Sequence, residues 1–214
     1  MPAKPCIVIL GGSFDPVHLA HVELAKLFNS LLKPDQLRII PTGWSWQKMS
    51  LTANPVQRVA MLALAFDELA RNTELVIDQQ EIKRAEAGIP SYTIDTLSTL
   101  RDEFGASASL VFLMGADQLQ QLHRWQNWQH LFTLAHIAVS ARPGFLLDAL
   151  DPAVANEFKQ RAGDVTQLRS SPCGHTYLCA DLAIDISSSQ IRRRNNLSSL
   201  PPKVLDYIQQ HHIY

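Results

Sequence analysis

Short apolar runs that do not alternate are the strongest constraint in this sequence. "CIVIL" (6–10), "LRII" (37–40) and "SLVFLMG" (109–115) are too short for helices and lack the apolar–polar alternation of a half-exposed strand. Strands of that composition are buried on both faces, as in parallel sheets covered by helices. Between the first two runs, Leu24, Leu27, Phe28 and Leu31 recur at helical spacing, and Pro34 ends the segment. Strands alternating with helices predict an α/β chain with a doubly wound parallel sheet. Such sheets bind ligands at the carboxyl ends of their strands.

The same reading places a helix at about 17–32 and a loop at 42–54, "TGWSWQKMSLTAN". Asn54-Pro55 is a helix start, with Asn as cap and Pro in the first turn, and the helix is expected to run to about Ala70. A strand follows at 74–78, then a polar loop with Gly88 and Pro90, then a helix at 91–104 with Ser91 near its cap. "AHIAVSARPG" (135–144) reads as a strand entering a loop, 148–161 as a helix, and 175–180 as a last strand. Short helices are expected at 187–194 and 203–211.

A chain of 214 residues suits one domain (1–214), with about 181–214 forming a small helical subregion. Net charge is −1, so nothing marks a nucleic-acid or membrane-surface protein, and a polyanionic ligand must be held by local positive charge. Cys6, Cys173 and Cys179 form no CxxC pair and read as reduced thiols. With no secretory or membrane-spanning stretch in view, the expectation is a soluble cytoplasmic protein, its oligomeric state open.

The chemistry concentrates in "GGSFDPVHLAH" (11–21), between the first strand and the first helix. Gly11 and Gly12 allow a sharp turn and close approach to a ligand. The helix start offers N–H groups and a positive dipole end to a phosphate. His18 and His21, three apart, face one side of the first turn, where two imidazoles can donate to one anion. The stretch contains neither GxxxxGK[ST] nor GxGxxG, and no HExxH or third ligand supports a zinc site.

This stretch resembles the GG(T/S)FDPxHxGH signature of the HxGH nucleotidyltransferases, with Ala20 where the family has glycine. Further resemblances point within that group to the bacterial nicotinate-nucleotide adenylyltransferases. They are "ISSSQIRRR" (186–194), "PSYTIDTL" (90–97), "MGADQL" (114–119) with "RWQNW" (124–128), "ARPG" (141–144) and the ending "PPKVLDYIQQHHIY". Together they cover nearly the whole chain.

The resemblance implies a Rossmann-like nucleotidyltransferase fold. It also implies transfer of AMP from ATP to nicotinate mononucleotide, giving deamido-NAD and pyrophosphate in NAD biosynthesis. Two alternatives stay open: another acceptor (nicotinamide mononucleotide or pantetheine phosphate), or a nucleotide-binding sensor with impaired catalysis. The implied catalytic residues are His18, His21 and Arg192. ATP would be met by Gly11, Gly12, Ser13, Phe14, His18, His21, Gly115, Asp117, Ile186, Ser188 and Arg192, with Mg²⁺ carried on its phosphates. Nicotinate mononucleotide would be met by Lys48, Tyr92, Thr93, Trp125 and Arg142. Each of several has a plainer reading. Lys48 and Arg142 can be loop residues, Asp117 a helix cap, and Trp125 a core side chain. Trp44 and Trp46 can cover the substrate or pack on the surface. The family's PPH before the lysine is absent here, where the loop reads "PTGWSWQK".

Overall fold

The computed structural model describes residues 4–43, 51–141, 145–179, 188–194 and 197–214. Six strands make one parallel sheet: β1 (Cys6–Gly12), β2 (Gln36–Pro41), β3 (Leu75–Ile77), β4 (Ser109–Gly115), β5 (His136–Ser140) and β6 (Thr176–Cys179). The helices are α1 (Leu19–Leu32), α2 (Pro55–Ala65), α3 (Asp67–Ala70), α4 (Gln80–Glu86), α5 (Thr93–Phe104) and α6 (Ala116–Gln120). They continue with α7 (Leu131–Leu134), α8 (Pro152–Gln160), α9 (Val165–Ser170), α10 (Ser188–Arg194) and α11 (Pro202–His211).

Alternate residues of each strand point to opposite faces, and both faces of this sheet are covered. Cys6, Val8 and Leu10 pack with Val22, Ala25 and Phe28 of α1, Met61 and Leu62 of α2, and Val204 and Ile208 of α11. Ile7 and Ile9 pack on the other side with Ile94, Leu97 and Leu100 of α5 and Val154 and Phe158 of α8. A strand with no polar side explains why "CIVIL" shows no alternation.

Strand order is β3-β2-β1-β4-β5-β6. The chain winds from β1 out to β3, then restarts at β4 on the other flank of β1. The switch point therefore lies between β1 and β4, the crevice where such sheets bind ligands. The turns after Gly12 and Gly115 both open at that end. No helix among the described residues is long and apolar enough to cross a membrane, and none of the cysteines there is in a disulfide.

The structure corrects four local expectations. The segment expected as a polar loop contains α4, whose buried side is only Glu81 and Ile82. The helix from Asn54 breaks at Phe66, a fully buried residue at φ −108°, ψ 9° that divides α2 from α3. Helix α5 starts at Thr93, not at 91, with Tyr92 as its cap. The helix expected from 148 begins at Pro152, capped by Asp151, whose side chain accepts from the Ala153 N–H. The Asn54 cap stands: its side chain accepts from the Gln57 N–H at 2.9 Å.

Candidate active site

The two glycines of the motif do not form a turn. Both belong to β1, and the space of their missing Cβ atoms is taken by aromatic rings. A Cβ on Gly11 would lie 3.3 Å from the Phe112 ring, and one on Gly12 would lie 3.1 Å from the Phe14 ring. The chain turns at Phe14, which takes the left-handed conformation (φ 45°), and through the cis Asp15-Pro16 bond. Phe14 is fully buried and meets the His21 ring edge-on at 4.9 Å. Its side chain packs beneath the His21 ring.

His18 is the cap residue of α1 and only 4 % exposed. Its backbone N–H donates to His21 Nδ1 at 3.2 Å, and the two imidazoles stack with centroids 3.7 Å apart. An imidazole nitrogen that accepts from an N–H carries no proton, so in neutral His21 the proton is on Nε2. His21 thus presents a donor away from the backbone. Ala20 lies in the first turn of α1, half-buried.

Arg192, far along the chain in α10, reaches this turn. Its Nη1 donates to the Asp15 carbonyl and lies 3.5 Å from Asp15 Oδ2. Ser188, at the start of α10, donates its hydroxyl to the Pro16 carbonyl at 2.9 Å and is buried. That hydroxyl ties α10 to the motif. Ile186 lies outside the described residues, as do Lys48, Arg142, Trp44 and Trp46.

No role for Asp15, Arg58 or Tyr214 was read from the sequence. Asp15 is fully buried, and its carboxylate accepts from the N–H groups of Thr52 and Ala53 and from the Tyr214 hydroxyl. Arg58 of α2 is 1 % exposed and donates Nη1 to the Ser13 carbonyl at 3.0 Å. Its Nε has no hydrogen-bond partner among the described residues. Burial pulls the Arg58 guanidinium below its ordinary range, and the nearby Asp15 charge opposes that. A signal for Arg58 existed: it shares the inward face of α2 with Met61, Leu62 and Ala65, a cation on an apolar stripe.

On the β4 side, Gly115 caps α6 and Asp117 lies in its first turn, exposed. Asp117 is therefore not the cap. A Cβ on Gly115 would come 2.7 Å from Asp117 Oδ1, so this glycine admits the folded-back carboxylate at the strand end. Trp125 is half-buried, edge-on to Phe112 at 6.3 Å, and its indole N–H is buried with no partner among the described residues. Phe112 thus stands between Gly11, at the end of β1, and Trp125. Tyr92 caps α5, and its N–H is engaged by Asp95 Oδ2 at 3.4 Å, which leaves Thr93 to open the helix.

A doubly wound sheet whose switch point carries a histidine pair at a helix start, with an arginine docked on the same turn, is the architecture of a nucleotidyltransferase. The chain belongs to the cytidylyltransferase-like family, whose model matches residues 9–194. Among its relatives, a protein of Herminiimonas arsenicoxydans named "Probable nicotinate-nucleotide adenylyltransferase" is 52% identical over 98% of this chain and 96% of its own length. One of the same name from Laribacter hongkongensis is 40% identical over 99% of this chain and 95% of its own. Of solved structures, the Plasmodium falciparum nicotinic acid mononucleotide adenylyltransferase complexed with NaAD superposes with a TM-score of 0.73. It is 19% identical, over 99% of this chain and 98% of that one, a likeness of fold.

Proposed function

We propose that this chain transfers AMP from ATP to the phosphate of nicotinate mononucleotide, forming deamido-NAD and releasing pyrophosphate. The observation that carries the reading is the docking of Arg192 on Asp15, within the turn that presents the His18–His21 pair. The relatives' shared name supports the acceptor.

In the reaction a mononucleotide phosphate oxygen attacks the α-phosphorus of ATP while the bond to the β-phosphate breaks in line. The attacking oxygen is already anionic, so neither a covalent nucleophile nor a strong base is required. The protein's task is positioning and neutralising charge on the transferring group and the leaving pyrophosphate. His18 and His21 meet the ATP phosphates, His21 through Nε2–H. Arg192 contributes a planar fork suited to two oxygens at once.

ATP enters with Mg²⁺ on its phosphates. That ion would be held mainly by phosphate and water. On the nicotinate side, Trp125 offers a ring face and Thr93 a helix-start N–H to the carboxylate. Lys48 and Arg142 remain the proposed phosphate contacts, and Asp117 the ribose contact. The domain reading is likewise a proposal: one nucleotidyltransferase unit, with the C-terminal part supplying Arg192.

The test is an acceptor panel: pyrophosphate release with ATP and, in turn, nicotinate mononucleotide, nicotinamide mononucleotide and pantetheine phosphate. The expected result is fastest turnover with the nicotinate acceptor. Fastest turnover with either of the others overturns the acceptor, and ATP binding without turnover overturns the enzyme.

A further inference from the structure

Asp15 lies beneath the phosphate turn with no exposed surface. Nothing in the transfer chemistry calls for a buried carboxylate beside two polyanions, so its contacts must supply the reason. Oδ2 accepts from Thr52 N–H at 2.9 Å; Oδ1 accepts from Ala53 N–H at 2.9 Å and from the Tyr214 hydroxyl at 2.6 Å. The Arg192 guanidinium faces Oδ2 and also donates to the Asp15 carbonyl. Four stretches distant in sequence therefore meet on one residue: the motif, the segment after the 42–50 stretch, α10, and the chain following α11.

The charges explain why a carboxylate can sit there. Arg192 and Arg58 both surround it, Arg58 through its bond to the neighbouring Ser13 carbonyl. Two guanidinium groups against one carboxylate leave the turn net positive, which suits a phosphate. Tyr214 adds no charge: its ring is partly exposed, but desolvation of its hydroxyl and the bond to Asp15 hold that hydroxyl protonated.

We propose that Asp15 is a positioning residue that holds Arg192 on the phosphate turn, and that the Tyr214 hydroxyl fixes the orientation of its carboxylate. The inference rests on the adenylyl-transfer reading above. Without the hydroxyl, Oδ1 keeps only the Ala53 N–H, and the carboxylate can rotate away from the guanidinium. Arg192 then loses registry with the phosphates, though no substrate contact has been deleted. Tyr214→Phe isolates this effect because the ring stays. Asp15→Asn is harsher: an amide NH₂ must face one of the N–H donors that the two carboxylate oxygens now satisfy.

The experiment measures steady-state pyrophosphate release, melting temperature, and calorimetric affinity for ATP and for adenosine, on wild type and Tyr214→Phe. The expected result is a kcat about tenfold lower, with KM for the mononucleotide and the melting temperature unchanged. The preference for ATP over adenosine should shrink, because only the triphosphate depends on Arg192. Unchanged kcat and unchanged preference overturn the proposal. So does an equal loss of ATP and adenosine affinity with earlier melting, which marks a merely structural tyrosine. A wild type that binds ATP without turnover overturns the transfer reading instead, and the ATP-to-adenosine ratio then decides this inference alone. If Tyr214→Phe melts early, Asp15→Asn joins the series, and the same preference loss is expected of whatever fraction stays folded.

Discussion

His21 Nδ1 accepts the backbone N–H of His18 at 3.2 Å while the two imidazoles stack. One histidine thus closes the amino end of α1 and, through the same bond, aims its other nitrogen outward. The structural duty of His21 and the chemical one proposed for it fall on different ring atoms, so they are separable.

His21→Asn places an amide oxygen where Nδ1 stands and removes Nε2. Stability is expected to hold, with kcat reduced at least about 10-fold, toward the ~10²-fold loss typical of a lost transition-state donor. His21→Ala is expected to lose the same activity and about 1 kcal/mol of stability besides, the usual cost of a missing cap. Paired melting and turnover measurements separate the two. An asparagine variant with normal kcat contradicts the donor role.

Gly43 precedes the stretch that includes Lys48 and stands against α4. A Cβ there would fall 1.9 Å from the Glu81 carbonyl oxygen, a backbone atom that cannot swing aside. Glu81 itself is buried, accepts from the Gly43 N–H and, at 2.8 Å, from the Thr96 hydroxyl, and its carboxyl is pushed above the usual range by burial. Gly43→Ala is expected to cost at least about 2 kcal/mol, read as a lower denaturant midpoint at unchanged slope. A neutral substitution there contradicts the packing of α4 against Gly43.

His136 gives a pH dependence unrelated to the active site. It is fully buried in β5, its Nε2 facing the Ser171 carbonyl and its Nδ1 accepting the His175 N–H. Burial lowers its pKa from 6.5 to about 4. A base with a depressed folded pKa binds its proton first in the unfolded chain. Stability is therefore complete above about pH 6.5 and lost as pH falls toward about 4, by about 3 kcal/mol in all. Wild type is expected to lose more stability across this window than His136→Gln. Parallel curves contradict the assignment.

The sheet was legible because parallel strands buried on both faces leave uninterrupted apolar runs, as at "CIVIL" and "SLVFLMG". The histidine pair was legible because its spacing is local. Helix α4 was hidden because it buries only Glu81 and Ile82, so its pattern reads as polar. Gly11 and Gly12 were recognised for the wrong reason, since a missing Cβ admits a packed ring as readily as a ligand. The Asp15–Tyr214 bond spans 199 positions, and no local pattern announces such a partner. Arg58 was readable from the inward stripe of α2.

Ala20 occupies the family's glycine position in the first turn of α1. Alanine favours the helix by up to about 1 kcal/mol over glycine, and its methyl adds bulk where a nucleotide is proposed to lie. Ala20→Gly is expected to lower both the melting temperature and the KM for ATP. A KM unchanged or raised contradicts the crowding.

Adenylyl transfer is proposed to occur on the β1–α1 turn. Its most direct test is pyrophosphate release from ATP and nicotinate mononucleotide by wild type and His18→Ala, side by side. Robust wild-type turnover is expected, with a kcat at least ~10²-fold lower in the variant and the fold intact. Equal kcat in the two, or no wild-type turnover, contradicts it.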